Sequence, residues 1–278
     1  MRLLAALTLS VSLAAASLAA QQAKTPAPAP KAPATAPRRA TPPLPPAPKR
    51  EAAVPFAVGE TLTYDVGWGR FITAGTATTR VIEKKASYNS TAYMVSAEGK
   101  PLPLIARLYP LFYKMDSLVD SYSLLSQWSA LYMEEGASKK RLASTRFDRT
   151  AKRAHYEIQN DPASKQSFAV PAEVQDGLTL LYFLRTRTMK AGERFTVPIA
   201  DDGSMYSIEV ATVETERLRT PIGEMDTTNL RIRITDARGQ AVGSNANVWL
   251  SQDARRLPVK LQADLPVGSF LLTLREAR

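Results

Sequence analysis

Few residues in this sequence could do chemistry, and their spacing argues against most of it. Carboxylates come in three close pairs, Asp116 with Asp120, Glu134 with Glu135, and Asp201 with Asp202. Two acids can share acid and base duties in glycoside hydrolysis when held about 5–9.5 Å apart. Asp201-Asp202-Gly203, however, has the composition of a tight turn. Glu134 and Glu135, being adjacent, point to opposite faces of any strand that contains them. His155 is the single histidine, set between Ala154 and Tyr156, and no partner can be named for a metal site or a nucleophile–histidine relay. Cysteine is absent, which excludes disulfides, thiolate catalysis, cysteine metal sites and an acylated lipoprotein cysteine. No glycine-rich phosphate loop, metal-binding helix pattern or nucleophile elbow occurs. The residues argue for binding or scaffolding rather than for an enzyme, and they imply no cofactor.

The candidates for binding are aromatic and cationic. Arg185 lies toward the end of an apolar run that Asp176 precedes. It can serve as a structural ion-pair partner, of Glu60 or of Asp253. Alternatively it sits at a cavity mouth, where a guanidinium grips a carboxylate or phosphate headgroup. Trp68, Trp128, Trp249, Tyr109, Phe112 and Tyr113 could line a cavity wall, since ligand pockets are mostly apolar, and the same residues suit a core. The expected ligand contacts are Arg185, Trp68, Tyr109, Tyr113 and Trp249, around a lipid or other amphiphile. The apolar segment 101–113, PLPLIARLYPLFY, suits a lid or an exposed docking patch.

The elements that must position these residues are mostly strands. From Phe56 the pattern alternates with period two: Val58, Leu62, Tyr64, Val66 and Trp68 fall on one parity, with Thr61, Thr63, Asp65 and Gly67 on the other. Further strands are expected at 77–81, 92–98, 114–125, 129–135, 140–148 and 151–159, then at 206–216, 227–235, 246–251, 257–263 and 269–275. Asp201-Asp202-Gly203 and Thr220-Pro221-Ile222-Gly223 read as hairpin turns. One clear helix runs from Gly177 to about Thr188, with Asp176 placed to cap its free amides and Arg185 and Arg187 near its C-terminal end. Its leucines, tyrosine and phenylalanine make it apolar nearly all round, so it must be covered on most sides. A second short helical segment is expected within 101–113. The fold class is mainly β: a curved antiparallel sheet, half-barrel or open barrel, wrapping one central helix.

Residues 1–20 have the charged, apolar and small-residue succession of a secretory signal, with cleavage expected after Ala19 or Ala20. An uncleaved inner-membrane anchor facing the periplasm is the alternative. Residues 21–53 are rich in Pro and Ala and carry six basic residues from Lys24 to Arg50. Proline lacks an amide donor and fixes φ, so this linker is expected to be disordered or extended. The net charge of +10 is concentrated there. Arg2 and the linker take seven of 36 basic residues and Glu51 one of 26 acids, so the domain from 54 to 278 carries only about four excess positive charges. That leaves nucleic acid without a basic face to bind. The linker could meet peptidoglycan, an acidic envelope protein or anionic lipid.

The segments FAVGETLTYDVGWGRFITAGTA, VQDGLTLLYFLRTRTMKAGERFTVPI and VWLSQDARRLPVKLQADLPVGSFLLTL, from about Phe56 to Leu274, together resemble the bacterial exported family of domain of unknown function 3108. The anchors are Gly59-Glu60 with Leu62 and Tyr64, then Asp176, Leu181-Tyr182 and Arg185, then Trp249-Leu250, Asp253 and Arg256-Leu257-Pro258. The family supplies no established activity. The closing hairpins also look like those of periplasmic lipoprotein carriers, half-barrels around an apolar cavity, a likeness of fold from which function does not follow. The expectation is a non-catalytic envelope protein with room for an apolar or amphiphilic ligand. Its alternative is an interaction or scaffold module without a cavity, and a hydrolase ranks third.

Overall fold

A computed structural model describes residues 50–69, 72–108, 110–136, 139–243, 246–265 and 268–278. The signal segment, most of the linker and Tyr109 lie outside the described residues. Fourteen strands form one antiparallel sheet. In chain order they are β1 (Thr61–Trp68), β2 (Ile72–Ser87), β3 (Ser90–Pro101), β4 (Leu111–Asp120), β5 (Ser126–Glu135), β6 (Lys139–Asp148) and β7 (Arg153–Ile158). They continue as β8 (Asp161–Ala169), β9 (Arg194–Asp201), β10 (Ser204–Thr220), β11 (Gly223–Asp236), β12 (Ala246–Ser251), β13 (Pro258–Leu265) and β14 (Gly268–Ala277). Two helices interrupt them, α1 (Pro103–Leu108) after β3 and α2 (Gly177–Thr186) between β8 and β9.

The order across the sheet is β8-β7-β6-β5-β4-β3-β2-β1-β14-β13-β12-β11-β10-β9. Each strand pairs with its sequence neighbour except at the centre, where β1 meets β14 and joins the two ends of the domain. The two edges are therefore β8 and β9, the strands on either side of α2. The sheet is not closed into a barrel. Its edges are nonetheless tied, because Gln175 makes a parallel bridge to Ile199 of β9, and Phe147, Ala154, Val170, Val174 and Ala200 share one apolar cluster across the seam. The hydroxyl of Tyr156 donates to Asp202 at 2.6 Å, and Arg141 also pairs with that carboxylate. Desolvation and the same carboxylate push the Tyr156 hydroxyl up to about 12.

Helix α2 starts where the sequence placed it. Asp176 Oδ1 accepts from the amides of Leu178 and Thr179 at 2.9 Å, its Oδ2 accepts from the Thr179 hydroxyl, and Ser117 Oγ of β4 donates to the same carboxylate. The Asp176 amide donates to Ser126 Oγ of β5. The helix end is thereby pinned to the neighbouring end of the sheet, besides having its free amides met. Leu180 and Leu184 pack on Val197, Val210, Leu230 and Leu250, while Leu178 and Tyr182 pack on Phe56, Val81, Val95 and Val119. Leu181 and Phe183 are partly buried, so the helix is covered on most sides, as expected, and not all round.

Several boundaries differ from the sequence reading. The strand expected at 114–125 starts at Leu111 and ends at Asp120, where the Asp120 carboxylate accepts from the amides of Tyr122 and Ser123 in a turn. β8 was not foreseen, because its SKQS run is polar on both faces and it stands at a sheet edge. Among the described residues, contacts with the sheet begin at Glu51, ahead of the boundary drawn at Val54. The Glu51 carboxylate meets Lys84, Thr91 and Ser121, and the Ala52 amide donates to the Ser121 carbonyl. Residues 50–60 thus form a strap across the α2 end of the sheet.

Candidate functional site

Cross-strand partners share a face of the sheet, and register identifies the inner one. Tyr64 pairs with Leu274 and Ala77, Val66 with Leu272 and Gly75, and Trp68 with Phe270. Ala77 pairs with Gly99, Gly99 with Tyr113, and Tyr113 with Met133. Along this face exposure rises steadily away from α2. On β1, Leu62 and Tyr64 are 1% exposed, Val66 is partly buried and Trp68 is 45% exposed. On β14, Leu274 is sealed while Leu272 and Phe270 are partly open. On β3 and β4, Val95, Val119 and Ser117 are sealed while Ala97, Gly99, Met115 and Tyr113 are partly open.

The open end is also lined by small residues. The inner positions of β2 and β3 there are Gly75, Ala77, Ala97 and Gly99. Gly75 is held to glycine by close approach, since a Cβ on it would lie 2.4 Å from the Lys100 carbonyl oxygen. A Cβ on Gly99 would meet nothing within 4 Å. The inner face at this end therefore has room as well as apolar walls. What it offers chemically is a wall of aliphatic, aromatic and thioether groups, with the Tyr113 hydroxyl, which donates to Glu135, among the polar atoms nearby.

The expected ligand residues divide between the two ends. Trp68 and Tyr113 belong to the open end, where Trp68 stacks on Phe270 with the planes 9° apart. Arg185 does not: it is 1% exposed at the α2 end and grips Glu60 in both directions, Nη1 to Oε1 at 2.6 Å and Nη2 to Oε2 at 2.8 Å. Its remaining donors reach the carbonyls of Arg255 and Arg256, and its guanidinium lies over the rings of Phe56 and Tyr182. Of the two partners the sequence allowed, Glu60 is the one used. Asp253 accepts instead from Ser251 Oγ and the Arg256 amide. Burial drives the hydroxyls of Tyr64 and Tyr182, beside this pair, well above their ordinary range.

Trp249 is also away from the open end. It alternates with Val248 and Leu250 and so lies on the other face, 5% exposed, its indole N–H donating to Glu216 and the Lys260 ammonium 4.2 Å above its ring. Leu218, Ile222 and Met225, from the far end of the β10–β11 hairpin, cover it. Glu134 and Glu135 take different partners, as adjacent strand residues should, whereas Asp201 and Asp202 line one recess with Asp176 and Tyr156. Glu134 binds Lys140 and Tyr132 while Glu135 binds Tyr113, and Asp202 and Gly203 have φ of 45° and 71° in the β9–β10 turn. Among the described residues no group of three or more His, Cys, Asp or Glu could hold a metal ion. Two recesses of about 490 and 390 Å³ lie on the outer side of β5–β8. Trp128 lines both, with Arg146 and His155 in one and Glu157 and Lys165 in each, so charged and apolar groups share their walls.

The residues that sequence reasoning missed are Gly75, Ala77, Ala97 and Gly99. Their signal was present as small side chains at period two in strands whose other inner positions are Val81 and Val95. It becomes legible only when the pairing places the four side by side.

Comparison with known proteins adds a family and a fold. The family model described as "Protein of unknown function (DUF3108)" matches residues 63–275. The chain belongs to this family. Among solved structures, the DUF3108 domain resembles a beta-barrel-like protein of domain of unknown function DUF1849 from Brucella abortus, with a TM-score of 0.55 at 10% identity, over 79% of this chain and 97% of that one. A protein described as exported, with a YmcC-like fold, from Bacteroides fragilis aligns with a TM-score of 0.37 at 11% identity, over 82% of this chain and all of that one. No curated protein sequence matches. The likeness to the first structure shows a barrel-like fold for the DUF3108 domain, and at that identity it shows the fold alone.

Proposed function

We propose that this protein is an exported cell-envelope binding protein, without a catalytic role, whose sheet holds the apolar part of an amphiphile at the end away from α2. The observation that carries this reading is the inner face at that end, apolar and partly open, with free space over Gly99. Each methylene transferred from water to such a wall is worth about 0.8 kcal/mol, so roughly ten would match the 8 kcal/mol of a micromolar complex before ordering costs. Read as an export signal, residues 1–20 support a periplasmic domain, soluble after cleavage or anchored without it. The basic linker then spaces it from peptidoglycan, an acidic envelope protein or the membrane. A second reading, a scaffold with no ligand, draws on the α2 end, where the helix and strap fill the sheet.

The test is to fill the space. Gly99 has an ordinary strand conformation, so Gly99→Leu should fold with an unchanged melting temperature while losing uptake of a fluorescent fatty acid and any lipid that co-purifies from the envelope, read by native mass spectrometry. Wild-type protein that binds no such probe and carries no lipid would leave the scaffold reading in place.

A further inference from the structure

The rim of the open end carries a second set of features that the inner face does not explain. Trp68, at 45% exposure, and Leu104 of α1, at 71%, are both large apolar residues left facing solvent. They stand at one end of the sheet: Trp68 pairs with Ile72 at the start of β2, and the amide of Leu102, just before α1, donates to Ala74 two positions on. Three exposed cations stand along the same end of the sheet, on the β3 to β6 side. Lys100 ends β3, Arg107 lies in α1, and Lys139 begins β6, paired across from Glu135 and so next to the start of β4. None of the three has an ion pair among the described residues. The acids nearby are Glu134, held by Lys140 and Tyr132, Glu135, held by Tyr113, and Asp264 of β13.

We infer that this rim docks the domain, open end down, on an anionic phospholipid surface. An indole and a leucine at the edge of a surface, flanked on one side by cations outside any ion pair, have the composition that settles at the headgroup boundary, the apolar groups entering and the cations meeting phosphates. A protein partner would be expected to cover the apolar pair with a matching apolar patch, and the cations then favour an acidic rim on it. The lipid surface answers both at once and also presents the amphiphile to the open inner face beside this rim. The inference rests on the proposed function for taking this end as the working one.

The experiment uses the mature chain with its linker and vesicles of phosphatidylglycerol mixed with phosphatidylcholine, set against phosphatidylcholine alone. The variant Lys100→Glu/Leu104→Ser/Arg107→Glu should lose vesicle affinity by about tenfold or more, since each cation near such a surface contributes roughly fivefold. Ile82→Ser, which removes an apolar group of 47% exposure away from the rim, should bind as wild type. Brominated phosphatidylglycerol should quench a tryptophan component that Trp68→Phe removes. Fatty-acid uptake in vesicle-free solution should be unchanged in the triple variant. Equal vesicle binding by wild type and triple variant would overturn the inference and assign binding to the linker. So would absence of vesicle binding, or a wild-type dimer that the triple variant dissolves, which would make the partner a second copy. Loss of fatty-acid uptake by wild type with vesicle binding intact would sink the proposed function and leave the docking surface standing.

Discussion

The inner face of one strand compares the two ends of this molecule directly. On β1, Leu62 and Tyr64 are 1% exposed, and four residues further on Trp68 is 45% exposed. Strand, face and alternation are the same, so what differs is the matter set against them. At the α2 end the sheet closes on a helix pinned by Asp176 and on a strap that carries Phe56 and Glu60. At the other end the described residues include only the short α1, whose Leu104 is 71% exposed, and the walls narrow in side-chain size to Gly75, Ala77, Ala97 and Gly99. A curved sheet buries its inner face only where some element fills it. The filled end then bears the stability, and the unfilled end is the one to which the proposed function assigns the ligand.

That contrast can be broken first at Arg185. Arg185→Ala leaves the Glu60 carboxylate, 9% exposed, without its partner, and breaking a buried pair in this way costs about 3–5 kcal/mol. That is a large share of the roughly 5–15 kcal/mol that holds a domain folded, and a urea titration should show it as a marked fall in midpoint. Fatty-acid uptake by the fraction that remains folded should be unaltered. Unchanged stability with lost uptake would instead make Arg185 a ligand contact and dissolve the division between the ends.

Paired leucine truncations sharpen it. Leu184→Ala, in the filled end at 2% exposure, should cost about 2–5 kcal/mol through lost transfer energy and the cavity left behind. Leu272→Ala, on the same inner lining but partly open, leaves no enclosed cavity, so it should cost about 1 kcal/mol while weakening uptake. Equal losses of stability would mean that the open end is packed in solution.

The smallest effect lies in the strap. A hydrogen bond from Lys84 holds the Glu51 carboxyl below its ordinary value of 4.5, with Ser121 and Thr91 adding to it. A depressed carboxylate stabilises the fold at pH values above its unfolded pKa, and the contribution is lost as pH falls through the lower folded value. Glu51→Gln should therefore melt slightly below wild type at neutral pH, and the two should converge below about pH 4.5. Salt should narrow the gap too, since the pair is partly exposed.

How much of this was legible in advance depends on what each signal encodes. The helix start at Asp176 and the turns at Asp202-Gly203 and Pro221-Ile222 were read correctly, because capping and turn chemistry act over a few residues. Family membership was readable from segments that span the domain. β8 was not legible, since SKQS has no apolar parity to betray a strand at an edge. Trp249 was misplaced for a related reason: an indole in an apolar strand is equally at home on either face, and only the β10–β11 hairpin, arriving from some 25 residues upstream, decides which one is covered. Gly99 carries no signal of its own in the sequence; only its partners Ala77 and Tyr113 put it beside an apolar wall.

By itself, then, the sequence determined a mainly β domain of alternating strands, one apolar helix capped by Asp176 and the absence of cysteine chemistry. All of these follow from short-range periodicity and composition. Tertiary structure alone decided that β1 pairs with β14, that Arg185 meets Glu60 across 125 positions of chain, and that α2 occupies one end of the sheet and leaves the other open. Those outcomes depend on register and on which distant segments reach the same place, and local side-chain patterns carry neither.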